Sequence, residues 1–309
     1  MQTTLLSFFL VILTGALFRR FWVGQETADT IRKSINTMVL NLFLPALCLK
    51  TIYTATLDRT IFVIPLTAAL TIIATLSFSL IVFNLLERRQ LLSPSQKGVL
   101  ILSSSFGNVT YLGIPVLSSL FGTEAIKYAL YYDLLATTPI LWLIGAPIAA
   151  RLGAKNRTLT PKDSLAIILK LPPLWGIFFG IILNILKAPL PEIILKVLDM
   201  FSGLVVPLMI FSIGLALSLS VARQFHLVFP VIFLKLLLSP LLSVFIAKGL
   251  HLEGTAFKAV ILEGAMPTMV LSLLLAAEFE LDVSLSAFAI LVTTLLSFIT
   301  LPLVYHWLA

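Results

Sequence analysis

The chain has 309 residues, of which 59% are hydrophobic and only 11% charged, and its mean hydropathy is +1.09. That composition excludes a water-soluble globular domain and marks an integral membrane protein. The formal net charge of +7 does not point to nucleic acid, because the Lys and Arg residues sit in short loops between apolar runs and leave no basic patch.

A bilayer core of roughly 30 Å asks for about 20 apolar residues per crossing, and that length predicts ten helices. The first, residues 3–18, ends in Arg19 and Arg20 without a basic region before it or a small-residue cleavage site after it, so it reads as a retained helix and not a signal peptide. The second, 34–53, contains LNLFLPAL, with Asn41 one turn before Pro45; its Cys48 is the chain's single cysteine, which excludes intrachain disulfides. The third, 61–86, carries Pro65 near its start and no charge within its apolar part. The fourth, 96–121, holds SSSFGNVTYLGIPVLSSLFG, in which Gly107, Asn108, Gly113 and Pro115 interrupt a hydrophobic run. The fifth, 125–150, contains Asp133 and the pair Thr137 and Thr138.

A polar loop, 152–163, divides the chain into halves at 1–151 and 164–309. The sixth helix is 164–186; the seventh, 191–219, contains GLVVPLMI with Pro207; the eighth, 227–248, carries Pro230 and Lys235. The ninth, 255–277, is interrupted by EGAMPT, residues 263–268, and the tenth, 284–307, bears Thr293 and Thr294. Matching features recur in the same order in both halves. Since five is odd, a repeat of five spans must be inverted in the membrane.

Alternate connections carry Arg19, Arg20, Arg32 and Lys33, then Arg88, Arg89 and Lys97, then Arg151, Lys155, Arg157 and Lys162, then Arg223. The opposite ends hold Lys50, Arg59, Lys127, Lys187, Lys196, Lys248 and Lys258. The richer side is cytoplasmic, which puts both termini outside a multi-pass protein of the plasma or inner membrane. The acidic Glu278, Glu280 and Asp282 on the assigned inner side run against the pattern, but acidic residues count for little in this rule.

A proline in mid-span removes a backbone donor and clashes with the preceding turn, so carbonyl and amide groups come free at bilayer depth. In inverted-repeat transporters such broken helices meet near the midplane, where half-helix N-termini favour an anion and loosened carbonyls hold a cation. Pro45, Pro139 and Pro240 read better as structural kinks. The fourth and ninth helices differ, because both are interrupted at matching places and Asn108, Thr110 and Tyr111 lie inside the first interruption.

NVTYLGIPV, residues 108–116, resembles the asparagine-to-GIP segment in the fourth helix of the auxin efflux carrier family. LNLFLPAL, GLVVPLMIFSIGLAL and GAMPTMVLSLLLAAEFELD resemble its second, seventh and ninth helices, and the likeness runs nearly the whole length. The resemblance implies an inverted five-plus-five fold related to bile acid sodium symporters, a crossover of the fourth and ninth helices at the substrate site, and elevator-type movement. The short central loop is similar to the prokaryotic branch, whose members resemble permeases for malonate, malate and other small carboxylates. The charged support site of plant members is not evident in the third helix, which counts against indole-3-acetate.

These readings converge on a secondary transporter of a small organic anion, a mono- or dicarboxylate with auxin-like acids in range. Gly107, Asn108, Thr110, Tyr111, Met266 and Thr268 are the expected substrate contacts, and Gly113, Pro115, Ala265 and Pro267 form the crossing. Glu263 and Asp133 are the candidates for coupling to a proton or sodium ion, because a charge inside a span costs about 2.5 kcal/mol or more and is kept for a reason. The bland alternative pairs Glu263 with Lys235 and leaves Asp133 a structural partner. Asn41, Pro45 and Pro207 are expected hinge or support positions, and Ser103, Ser104 and Ser105 are expected to bond back to their own helix. No resident cofactor or metal is expected. The expected partners are the anion and membrane lipid, with a homodimer open and nucleic acid excluded. An enzyme finds no support: there is no HExxH pair, no GxGD dyad, and His226, His251 and His306 fall at helix ends or loops. A membrane-embedded sensor or interaction protein on the same fold remains the alternative.

Overall fold

The computed structural model describes residues 2–154, 158–216 and 225–308. Lys155, Arg157 and Arg223 of the topology argument lie outside the described residues, as do positions 217–219 of the seventh expected helix. The described chain is all-helical, 86% helix without a strand. Among the described residues, six helical stretches are long and apolar enough to cross a membrane, or seven if Pro161–Leu169 and Pro172–Ile185, which meet at 62°, make one span. Large apolar side chains such as Phe62, Phe229, Ile299 and Leu303 stand exposed in a number that lipid accommodates and water does not.

The ten expected spans are not returned as ten. Residues 96–121 are divided among helix Pro94–Ser105, a wide π-helical turn Val109–Gly113 and helix Ile114–Phe121. Residues 255–277 are divided between Gly254–Gly264 and Leu271–Glu278, and no piece reaches span length. Leu6–Thr54 is one helical stretch of 49 residues, yet Gly24 at φ 74° and ψ 177° turns the backbone out of helical geometry within it. The polar segment after that glycine, Gly24–Met38, is helical as well. Hydropathy leaves its residues 24–33 as a loop, but Ala28, Arg32, Ile35 and Asn36 fall on one buried face, and Asn36 Oδ1 accepts a 2.7 Å bond from Ser212.

Prolines inside helices follow a recurring local rule. Wide turns at Val39–Phe43, Val109–Gly113, Asp133–Thr137, Leu141–Gly145 and Leu234–Leu238 each end two residues before a proline: Pro45, Pro115, Pro139, Pro147 and Pro240. The widened turn absorbs the missing donor and the ring's clash with the preceding carbonyl, so the chain stays helical through the kink. Pro65, Pro207, Pro230 and Pro302 sit inside α-helices without such a turn.

Two compact units divide the chain. The first gathers Met1–Ile61, Thr110–Leu130 and Leu169–Leu217. Within it, helix Gln2–Phe18 meets Glu192–Ala216 at paired glycines: a Cβ on Gly15 would lie 2.6 Å from the Phe211 carbonyl and 3.1 Å from Gly214 Cα. Helix Leu44–Thr54 meets Pro172–Ile185 through Gly176 and Gly180, where a Cβ would lie 2.5 Å from the Pro45 carbonyl and 2.9 Å from Ile52 Cβ. Lipid supplies no hydrophobic drive between helices, so small residues that let backbones approach do the joining. Asn184 Nδ2 then caps the exposed end of Leu44–Thr54, lying 2.9, 2.8 and 2.7 Å from the Ile52, Tyr53 and Ala55 carbonyls.

The second unit gathers Phe62–Val109, Tyr131–Ile168 and Ser218–Ala309. Helix Thr60–Arg88 lends it a buried hydroxyl stripe, Thr67, Thr71, Thr75 and Ser79, spaced at i,i+4. Thr67 and Thr75 bond back to Val63 and Thr71 of their own helix, and Ser243 Oγ donates to Thr71 at 3.4 Å. Asp282 caps the last helix, Val283–Trp307, by accepting from Leu285 N at 2.9 Å, which gives one of the acidic residues on that side a structural task.

Candidate functional site

The site grows from the end of helix Pro94–Ser105. That helix starts on a capping box, with Ser93 and Gln96 bonding reciprocally and Pro94 in the first turn. It stops where Phe106 turns extended, φ −108° and ψ 122°. Gly145 leaves room for the Phe106 ring, which a Cβ there would meet at 2.8 Å. In the other half, Gly254–Gly264 stops at Ala265, whose N–H folds back to Ile261 and Leu262.

The two interruptions then cross as a single antiparallel bridge, Gly107 opposite Thr268. Asn108 N donates to the Pro267 carbonyl at 2.7 Å, and Met269 N donates to the Phe106 carbonyl at 2.9 Å. Each break therefore satisfies backbone groups that the other has freed, which is how non-helical chain persists in the interior. Thr268 locks the crossing from both ends: its hydroxyl donates to Ser103 O at 2.8 Å, and its N–H donates to Thr293 Oγ1 at 3.2 Å.

Lys235 lies against this bridge. Its Nζ donates to the Gly264 carbonyl at 2.9 Å and to Ser239 Oγ at 3.2 Å, while Ser239 Oγ donates to the same carbonyl at 2.8 Å. A Cβ on Gly107 would stand 3.1 Å from both Lys235 Cε and Nζ, so the lysine approaches because residue 107 has no side chain. A cation at the C-terminal carbonyls of Gly254–Gly264 is electrostatically well placed.

Three more buried polar groups surround the bridge. Asn108 is 1% exposed and its Nδ2 has no hydrogen-bond partner among the described residues. Glu263 is equally buried, and neither carboxyl oxygen has such a partner; its charged neighbours are Asp133 and Lys235. The lysine bonds to Ser239 and Gly264, and neither Glu263 oxygen bonds to it, so the alternative of a direct Glu263–Lys235 pair is not the arrangement found. Asp133 Oδ1 accepts from Thr138 Oγ1 at 3.1 Å.

The structure thus brings Gly107 and Asn108 together with Met266, Pro267 and Thr268 in the second unit, with Ala265 one residue before Met266. Thr110, Tyr111, Gly113 and Pro115 belong to the first unit. Asn41 is exposed and bonds back to Thr37 O at 2.8 Å, within a helix that runs on past it. Ser104 and Ser105 bond back to Leu100 and Ile101 at 2.8 Å. Sequence places Lys235 as a partner for Glu263 or Asp133; the signal for its place at the bridge is a lysine in mid-span, with Ser239 one turn on. A separate cavity of about 320 Å³ in the first unit is lined by the Lys50 and Asp199 ion pair, Glu124, Ser118 and Ser202, and no crossing residue takes part in it. Among the described residues no three His, Cys, Asp or Glu side chains gather to hold a metal ion.

A family described as "Membrane transport protein" matches residues 2–305. A transporter of Methanothermobacter thermautotrophicus, described as uncharacterized, is 31% identical over 304 residues, covering 97% of this chain and 96% of its own. One of Methanocaldococcus jannaschii, described likewise, is 31% identical over 226 residues, 70% of each chain. With apolar helices of span length and this match over almost every residue, the chain is a multi-pass membrane protein that belongs to the membrane transport protein family, the auxin efflux carrier family.

Proposed function

We propose that the protein is a secondary transporter of a small organic anion, a mono- or dicarboxylate, held at the crossing of the fourth and ninth of ten spans. Asn108 carries the proposal: a buried amide donor without a partner, on a bridge that already satisfies its own backbone, is a donor kept for a ligand. Lys235 adds the only sign of charge that suits a carboxylate there. Met266 and Thr268 complete the proposed contacts within the second unit, and Glu263 and Asp133 are the buried carboxyls available for coupling.

Membership of the two units supports an inverted repeat. If span one matches six and two matches seven, a contact between one and seven must reappear between six and two. Both contacts exist, and both are made through glycines: Gly15 with Gly214, and Gly176 and Gly180 against residues 45–52. Each unit also draws matching stretches from both halves of the chain, as the moving and fixed bodies of an elevator would. On the count of basic residues both termini face outward from the cell membrane.

Reconstituted proteoliposomes decide the matter. Labelled malonate or malate should accumulate above protein-free vesicles under at least one imposed gradient of pH, sodium or voltage. No anion uptake under any of them would overturn the proposal.

A further inference from the structure

We propose that Lys235 is the resident cation of the crossing, so that the carbonyl end of the interrupted helix Gly254–Gly264 is held beside Gly107 without a bound alkali ion. The idea deepens the transport reading, but its structural half stands without it. Two helices interrupted at bilayer depth free carbonyl oxygens that a metal cation could take. Here four of those at the crossing are taken by the protein's own donors. Ser103 O accepts from Thr268, Phe106 O from Met269 N, and Pro267 O from Asn108 N. Gly264 O, at the negative end of its helix, accepts from both Lys235 and Ser239.

Lys235 is 2% exposed, an expensive place for an ammonium unless the carbonyls need it. A residue of one other segment and one of its own helix make the place. Gly107 leaves the space for Cε and Nζ, and Ser239, one turn along, shares the lysine's acceptor. The charged group beside it is Glu263, which in turn neighbours Asp133 and Tyr132. A tethered ammonium beside a carboxyl thus supplies charge and hydrogen bonds that a mobile ion would supply elsewhere, without the entropy of capturing one.

The test is thermal unfolding of the purified full-length protein in detergent, followed by labelling of the buried Cys48 as it becomes exposed. Wild type should unfold at one temperature in sodium, potassium, lithium and choline chlorides of equal ionic strength. Lys235→Ala should unfold several degrees lower and recover at least half the loss in millimolar ethylammonium, but not in tetramethylammonium, which is too large and donates no hydrogen bond. Selective stabilisation of wild type by one alkali ion overturns the proposal, and so does an alanine variant that no small cation restores. If that variant does not fold, Lys235→Gln and the wild-type ion series carry the decision. Proteoliposome uptake that is equal in sodium and in choline supports the proposal and uptake that requires sodium overturns it, whereas uptake in neither counts against the transport reading alone.

Discussion

Replacing Asn108 by alanine should leave the empty protein as stable as wild type, or more so, while crippling its hold on the anion. The two effects have opposite signs because Nδ2 has no partner in the unliganded crossing. A buried donor left unpaired costs about 1–3 kcal/mol, which the alanine removes, against the smaller loss of packing from a shortened side chain. The expected net change is between zero and roughly 2 kcal/mol in favour of the variant. With a carboxylate bound, the same amide makes a hydrogen bond to a charged group, worth about 1.5–3 kcal/mol, so affinity should fall roughly 10- to 150-fold. At an anion concentration about 100 times the wild-type Kd, ligand stabilisation should drop from about 2.7 kcal/mol to roughly 0.3–1.4 kcal/mol. Unfolding curves read through Cys48 labelling, with and without malonate, measure both quantities in one experiment. An empty Asn108→Ala protein clearly less stable than wild type would make Asn108 a structural residue, and an undiminished malonate shift would place the anion elsewhere.

Two glycines of one helix make a matched pair. Gly214→Ala should destabilise by about 3 kcal/mol, because its Cβ would run into the Ile12 backbone and stand 2.9 Å from Gly15 Cα, whereas Gly203→Ala meets nothing within 4 Å and should be neutral or slightly stabilising; equal unfolding temperatures for the two would refute the close helix contact. The Asp58 carboxyl, in the loop before Thr60–Arg88, is pushed up by burial, but bonds from Thr60 and the charges of Lys127 and Arg59 outweigh this and hold it below 3.8. A depressed carboxyl stabilises above its unfolded value and loses that contribution as pH falls through its folded one, so Asp58→Asn should lower the unfolding temperature at pH 7 and match wild type in acid below that range; a gap that persists in acid would show the effect is not electrostatic.

Much of the architecture was written in residues whose chemistry is local. Pro45, Pro115, Pro139 and Pro240 announce bends whatever surrounds them, and Gly107, Asn108, Gly113 and Pro115 together mark an interruption that apolar length alone would have hidden. The polar helix Gly24–Met38 escaped because hydropathy measures a segment's mean, and this one is buried along a single face. Lys235 escaped in a different way. Its acceptor, Gly264, is 29 residues distant and the glycine that admits it 128 positions back, so no window along the chain contains all three. Asn41 is a local case instead: its amide bonds back to Thr37 four residues earlier, beside the wide turn at Val39–Phe43 that precedes Pro45.

The interleaving of the two compact units has a consequence for synthesis. The first unit is complete only when Leu169–Leu217 has been made, and the second needs Ser218–Ala309 as well. Helices inserted early must therefore wait in the bilayer with their glycine faces and half of the crossing unmatched, until partners more than a hundred residues downstream emerge. Gly15 waits for Gly214, and Gly107 for Thr268. A chain truncated after residue 151 should be inserted yet remain a substrate for quality-control proteolysis, since such long-range closure makes assembly late and slow.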